Sequence, residues 1–248
     1  MPDAVTIENL SVSFGGRPVL RDVCARFPQA SVSVLIGRSG SGKTTLLRSI
    51  NRLNEEFPNC ATKGGVLVNF STGAVRIYEK DAPPLRELRL YAGMLFQTPN
   101  LFPVSVYRNL ALPLQLMRGC GKSELGDRIR ATLELVGLWK EMENKLDMPA
   151  EHLSGGQQQR LCLARVLALE PEILLLDEPT ASLDVHAAAV IEGLLLELAE
   201  RYTVIMVSHS LAQARRLGRG IFVFEDGFIS GRLAADEAIS EDLLAKLL

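Results

Sequence analysis

The segment GRSGSGKTT, residues 37–45, constrains the chain more than any other. SVSVLI (31–36) runs straight into it, a short, β-branched and apolar stretch that suits a buried strand. LLRSINRL (46–53) follows and reads as a helix. Gly37 to Thr44 fits the pattern G-x-x-x-x-G-K-[ST] in full, in the strand–loop–helix setting that the pattern requires. Its glycines let successive amides turn inward around a phosphate chain. Lys43 supplies a point charge for the outer phosphates, and the Thr44 hydroxyl suits Mg²⁺.

Other readings are narrowed by size and charge. A chain of 248 residues can bury a proper core and fits one large α/β domain or two small ones. Its formal charge of −2 argues against a broad nucleic-acid surface, so no nucleic-acid partner is expected. No uninterrupted apolar run approaches the roughly eighteen residues that span a bilayer. The start, MPDAVTIENL, lacks the basic-then-apolar order of a signal peptide. Cys24, Cys60, Cys120 and Cys162 are scattered without metal-ligand spacing, and are expected to be reduced and packed as small apolar groups.

Along the chain, VTIENLSVSF (5–14) and VLRDVCARF (19–27) flank Gly15-Gly16 and read as an antiparallel hairpin. GGVLVNF and AVRIY flank Thr72-Gly73 and suggest a second. Residues 98–152 are mostly helical in pattern, with Pro99, Pro103, Pro113 and Pro149 as breaks. No flexible linker bounds that stretch, so it is expected to be a subdomain. EILLLDEP (172–179) and TVIMVSH (203–209) are apolar strands, and IEGLLLELAE (191–200) between them is the crossover helix of a parallel sheet.

In such a sheet the carboxyl ends of strands face the ligand crevice. Asp177 and Glu178 end one strand there. Asp177 can reach the coordination shell of Mg²⁺, and Glu178 can accept a proton from an attacking water, the positioning role that phosphoryl transfer demands. His209 ends the next strand, where an imidazole could donate a hydrogen bond and orient the water. Gln97 follows GMLF and could place its amide oxygen at the metal. Ser154, Gly155 and Gly156 precede a helical stretch, and bare amides at a helix start are an anion site. Ser154 can cap that helix while the glycines allow close backbone approach. The chain thus carries one complete phosphate loop with Lys43 and a second anion site lacking a cation.

These residues together resemble the ATP-binding subunits of ABC transporters along essentially the whole chain. GRSGSGKTT, Gln97, LSGGQQQR, ILLLDEP, SLD (182–184) and His209 stand in that family's order, and LSGGQ is its own signature. The resemblance implies a single cassette over 1–248. Its mainly parallel core sheet and antiparallel β subdomain would occupy about 1–96 and 160–248, with a helical subdomain at about 97–159. It implies ATP and Mg²⁺ as ligands and ATP hydrolysis as the activity. Nucleotide contacts would come from Phe14, stacked on adenine, from Gly37, Ser39, Gly40, Ser41, Gly42, Lys43, Thr44 and Thr45, and from Gln97. Asp184 would also contact nucleotide, and Ser154, Gly155, Gly156 and Gln157 would serve a nucleotide held by a second copy in a head-to-tail dimer sharing two ATP. Thr44, Gln97 and Asp177 would hold the metal; Glu178, His209 and Lys43 would carry the reaction.

A narrower resemblance is to bacterial phosphate importers. It rests on SINRLNE (49–55), GLWKE (137–141), the triple glutamine of SGGQQQRLCLAR and QARR (213–216). These four are expected to fit a particular pair of membrane subunits. Importers of phosphonate, another oxyanion or a polar amino acid are the alternatives; a non-transport ABC ATPase would need a coiled-coil insertion or second cassette. Val185 stands where Pro is common after the Asp, and the hairpin VLVNFSTGAVRIY departs from the family pattern. The resemblance implies two membrane-spanning permease subunits, an extracytoplasmic solute-binding protein acting through them, and a place on the cytoplasmic face of the membrane. TPNLFPVSVYR (98–108), with apolar Leu101, Phe102 and Val104, is expected to receive a helix of the permease. The chain reaches Leu248 soon after the cassette, and no added regulatory domain is expected.

Overall fold

A computed structural model describes residues 2–234 of the chain; the expectation about the stretch leading to Leu248 lies outside the described residues. The antiparallel ribbon β1 (Asp3–Phe14) and β2 (Arg17–Pro28) forms around the Gly15-Gly16 turn as the alternation predicts. β3 (Val32–Gly37) feeds the phosphate loop and α1 (Lys43–Ser49). Next come β4 (Cys60–Phe70), β5 (Gly73–Arg76), α2 (Leu85–Tyr91) and β6 (Ala92–Leu95). The helical stretch holds α3 (Val106–Arg118), α4 (Lys122–Leu135) and α5 (Trp139–Met142), then α6 (Gly155–Leu167). The last part alternates β7 (Ile173–Asp177), α7 (Val185–Leu198), β8 (Thr203–Val207) and α8 (Leu211–Leu217) before β9 (Gly220–Glu225) and β10 (Phe228–Ala234).

Two sheets result. β2-β1-β4-β5 is antiparallel; β10-β9-β3-β8-β7-β6 is parallel except at its β10 edge. The parallel strands are apolar throughout because both faces are covered. Val34, Leu174, Leu176, Met206 and Val223 point into a core shared with α3, α4, α6 and α7. Their neighbours Leu35, Leu175, Ile205 and Phe222 point into a core closed by α1 and the antiparallel sheet. The helical stretch has no core of its own, since Leu110, Leu125 and Ile129 join the cluster of Leu161 and Leu174.

Two local expectations are corrected. Pro113 does not break its helix: α3 runs through it, with Leu110, Ala111 and Leu114 packed into the core and Ser105 capping the start by accepting from the Arg108 N–H. Burial of that face outweighs the one helical hydrogen bond that proline cannot donate. The helix after the phosphate loop stops at Ser49 rather than continuing through LLRSINRL. Arg52 adopts a left-handed conformation (φ 56°) and a short 3₁₀ turn follows at Leu53–Glu56. Side chains from elsewhere take over the carbonyls at this end. Tyr78 Oη donates to the Ser49 carbonyl at 2.9 Å, and Arg89 donates to those of Asn51 and Arg52 at 3.4 and 3.2 Å.

Candidate active site

Three strand ends meet at one edge of the parallel sheet. Leu35 of β3 pairs with Val207 of β8, which pairs with Asp177 of β7. The loops leaving these strands carry the phosphate motif, Glu178 and His209, so the register alone brings the three together. They line a cavity of about 250 Å³ whose wall includes Ser39, Gly40, Gly42, Lys43, Thr44, Thr45, Glu178 and His209. Val19, near the start of β2, closes one side of it. No sequence signal singles Val19 out.

The loop folds around its own lysine. Lys43 Nζ donates to the carbonyls of Gly37 and Arg38, both at 2.8 Å, and to Ser41 Oγ at 3.4 Å. Ser41 is buried and its carbonyl accepts from the Gly227 N–H at 2.9 Å, which anchors the loop to the turn before β10. Gly42 caps α1 in a left-handed conformation (φ 105°), and a Cβ there would stand 2.9 Å from Leu20 and 3.0 Å from the Val19 carbonyl. Burial holds the Lys43 ammonium below the usual lysine value of 10.5, while Glu178 and Asp177 pull the other way. A buried cation held by carbonyls of its own loop, with an open cavity in front of it, is arranged to meet an anion.

Thr44 Oγ1 donates to Asp177 Oδ1 at 2.9 Å. The two oxygens could hold a hard cation between them. Beside them His209 Nε2 lies 2.5 Å from Glu178 Oε1, with the imidazole side chain 43% exposed and the carboxylate 13%. Glu178 has a φ of 48°, a region that non-glycine residues rarely occupy. Such strain persists only where the surroundings fix it. Gln97 lies two residues past β6, beside the Glu178 end of β7, and is exposed. Phe14 ends β1 and packs edge-on against Phe57, with ring centroids 6.1 Å apart. Neither Gln97 nor Phe14 is on the cavity wall.

The signature residues form a second centre. Ser154 caps α6 reciprocally: its Oγ accepts from the Gln157 N–H at 3.4 Å while Gln157 Oε1 accepts from the Ser154 N–H at 2.9 Å. Gly155 is open, its nearest neighbour being Leu183 at 3.7 Å from a built Cβ. Gly156 is not open, because a Cβ there would stand 2.9 Å from the Ala187 Cβ of α7. Its smallness therefore serves the contact between α6 and α7, not only an approach by phosphate. Asp184 caps α7, its Oδ1 accepting from the His186 and Ala187 N–H groups at 2.9 and 3.0 Å. These two bonds, with the Ala187 one dominant, hold its carboxyl below the ordinary aspartate range. None of these residues lines the cavity in front of Lys43.

Sequence reading missed a support behind the signature. Glu141 of α5 accepts from Gln157 Nε2 at 2.6 Å and from Arg160 Nη2 at 2.9 Å. Burial pushes the Glu141 carboxyl up, but the bonds from Gln157 and Arg160 outweigh it and hold it low. All four cysteines are free thiols; Cys120 and Cys162 are buried as expected, whereas Cys24 is exposed and bonded to Asn9. Of the segment expected to receive a permease helix, Phe102 lines a cavity of about 270 Å³ together with Arg89, Leu90, Phe96, Pro113 and Arg165. Phe102 is exposed at its rim under the Arg165 guanidinium, 4.6 Å from the ring centroid. Leu101 instead packs against the core, and Val104 is half-buried.

A phosphate loop, an Asp-Glu strand end, a histidine on the next strand and a separate capped glycine pair define a P-loop nucleotide hydrolase of the cassette class. The chain belongs to the ABC transporter family, whose profile matches residues 20–181, and is its ATP-hydrolysing cassette. The phosphate import ATP-binding protein PstB of Rubrobacter xylanophilus is 42% identical over 235 residues, covering 94% of this chain and 80% of that protein. PstB of Prochlorococcus marinus strain MIT 9312 is 42% identical over 213 residues, covering 86% of this chain and 77% of that protein. Among solved structures, cbiO1 of Clostridium perfringens, part of the cbiONQ transporter complex, superposes with a TM-score of 0.81 at 26% identity, covering 98% of this chain and 93% of that one. The cassette MJ0796, solved as a dimer in a post-hydrolysis state with ADP and Pi, gives 0.78 at 29% identity, covering 94% and 100%.

Proposed function

We propose that this chain is the ATPase that energises uptake of inorganic phosphate through an ABC importer. The ATPase part is carried by the cavity that Lys43, Thr44, Glu178 and His209 share. The solute is carried by likeness to the two PstB proteins, across most of their length as well as of this chain.

Mg²⁺ fits this site. Among the described residues no group of three or more His, Cys, Asp and Glu side chains is placed to hold a metal. Thr44 and Asp177 offer two oxygens in contact, and Mg²⁺ in nucleotide sites takes one or two protein oxygens and completes its shell with phosphate and water. When bound it neutralises charge on the phosphate oxygens. Gln97, exposed beside the Glu178 end of β7, offers a third oxygen. Lys43 and the loop amides hold the phosphate chain in place. Glu178 accepts the proton of the attacking water, and His209, in contact with Glu178 Oε1, orients the pair.

The signature centre serves the nucleotide of a second copy, arranged head to tail. Its Ser154 cap and open Gly155 present amides without a cation, which suits a phosphate already held by another chain's lysine. Phe14 stacks on the base, and Asp184 faces the partner across the dimer. Two permease subunits dock at the groove around Phe102, on the cytoplasmic face of the membrane, and a solute-binding protein acts through them.

Two experiments test this reading. Ser154→Arg should abolish hydrolysis while leaving ATP binding by the monomer nearly intact, and mixing it with Lys43→Ala chains should give ATP-bound mixed dimers that neither forms alone. Equal loss of monomer binding in both variants rejects the shared site. Deleting the gene should remove high-affinity uptake of labelled phosphate at low external phosphate. Unchanged uptake in a strain without a second phosphate importer rejects the solute and leaves the ATPase standing.

A further inference from the structure

QARR (213–216) has no task in the chemistry described so far. Its first residue, Gln213, is buried in α8 and makes three side-chain hydrogen bonds. Its Oε1 accepts from Ser208 Oγ at 2.7 Å. Its Nε2 donates to Thr180 Oγ1 at 2.7 Å and to Glu192 Oε1 at 2.9 Å. Glu192 is itself gripped by Arg216, whose Nε and Nη2 donate to it at 3.0 and 2.9 Å.

The partners of this amide flank the reacting pair. Ser208 directly precedes His209, and Thr180 lies two residues past Glu178. The β7–β8 ladder ends at Asp177 and Val207, one residue before Glu178 and two before His209. Beyond that point the Gln213 amide bridges the two loops. An amide suits the place: the Glu192 carboxylate needs a donor, and the Ser208 and Thr180 hydroxyls, which can donate or accept, complete its hydrogen bonds. A carboxylate can only accept, so the Glu192–Arg216 pair also decides which way the amide points.

We propose that Gln213 is a positioning residue for ATP hydrolysis. It holds the loops of Glu178 and His209 in register through Thr180 and Ser208, and touches neither nucleotide nor metal. The proposal rests on the hydrolysis reading above.

The test separates turnover from binding. Gln213→Met keeps the length of the side chain and removes all three hydrogen bonds. Titration with a fluorescent ATP analogue should give a Kd within about twofold of wild type, while kcat at saturating ATP falls on the order of tenfold to a hundredfold, as for catalytic groups displaced by about an ångström. Gln213→Glu places two carboxylates within 2.9 Å and should lose as much. Adding Glu192→Gln restores one carboxylate and one amide to the pair, and should return kcat to within about threefold of wild type, as coupled neighbours do. An unchanged kcat in Gln213→Met overturns the proposal. So does ATP affinity that falls in step with turnover, or a swapped pair that recovers nothing. Should Gln213→Met fail to fold, the swapped pair decides alone. Glu178→Gln, measured alongside, tells the failures apart. Turnover retained there overturns the hydrolysis reading and this proposal with it; turnover lost there but kept in Gln213→Met overturns the positioning role only.

Discussion

The adjacent signature glycines should respond to alanine in opposite ways. Both lie in the first turn of α6, so Gly155→Ala and Gly156→Ala gain the same helix propensity, at most about 1 kcal/mol each. A Cβ at 155 meets only Leu183 at 3.7 Å, an ordinary contact; at 156 it would stand 2.9 Å from the Ala187 Cβ. Both α6 and α7 are anchored in the same core, so neither can retreat freely. Overpacking of this kind costs about 1–3 kcal/mol. Because the propensity terms cancel, the difference between the variants is the overpacking alone. At roughly 2–4 °C per kcal/mol for a chain of this size, a 2 kcal/mol difference separates the two melting temperatures by about 4–8 °C. Gly155→Ala should melt at or above wild type and Gly156→Ala below it, measured by thermal unfolding without nucleotide. Ala187→Gly, combined with Gly156→Ala, should recover the loss apart from the roughly 0.5–1 kcal/mol that glycine costs within a helix. If Gly156→Ala melts with or above Gly155→Ala, Gly156 is not held small by Ala187 and the argument fails.

Two shorter predictions follow from the same geometry. Burial lowers the Lys43 pKa in the folded chain, so between that lowered value and 10.5 the unfolded chain binds more protons and stability should rise with pH as the penalty on the buried charge is relieved. Thermal melts across this window should show the rise in wild type and its loss in Lys43→Met; equal slopes refute it. Val185 is 88% exposed at the first position of α7, after an Asp184 with ψ of 164°, the extended backbone that a following proline requires. Val185→Pro should therefore stabilise by about 0.4–1 kcal/mol, read as a raised melting temperature, and a lowered one refutes the fit.

What was legible in the sequence had a local cause. Alternating or continuous apolar runs placed β1, β3, β7 and β8, because those strands are buried on one face or both. Lys43, Thr44, Asp177, Glu178 and His209 could be read as one site because each ends a strand or opens a helix at the same sheet edge. The early stop of α1 was not legible: it depends on Tyr78 and Arg89, distant in sequence, reaching the carbonyls of 49–52. Nor was the passage of α3 through Pro113, where the burial of Leu110 and Leu114 decides. The packing role of Gly156 was not legible either, because its neighbour Ala187 cannot be inferred from spacing.

One residue from each of three segments that resemble phosphate importers is hydrogen-bonded beside the nucleotide site. Sequence reading expects SINRLNE, GLWKE and QARR to fit the membrane subunits. Yet Asn54 donates to the Thr45 carbonyl and Ser49 Oγ, at 2.8 and 2.9 Å, directly behind the phosphate loop. Glu141 braces Gln157 and Arg160 behind the signature. Gln213 braces Thr180 and Ser208 behind Glu178 and His209. Each subfamily segment thus stands behind a different part of the ATP machinery, at the distance of one hydrogen bond. Contacts of that kind can alter how firmly loops are held, and hence the rate of hydrolysis, but they offer nothing to a transported solute. The cavity beside Phe102 and Arg165 contains none of Asn54, Glu141 and Gln213. Any fit of these segments to membrane subunits therefore has to come from their exposed residues, not from Asn54 and Gln213, which are buried and held within the chain.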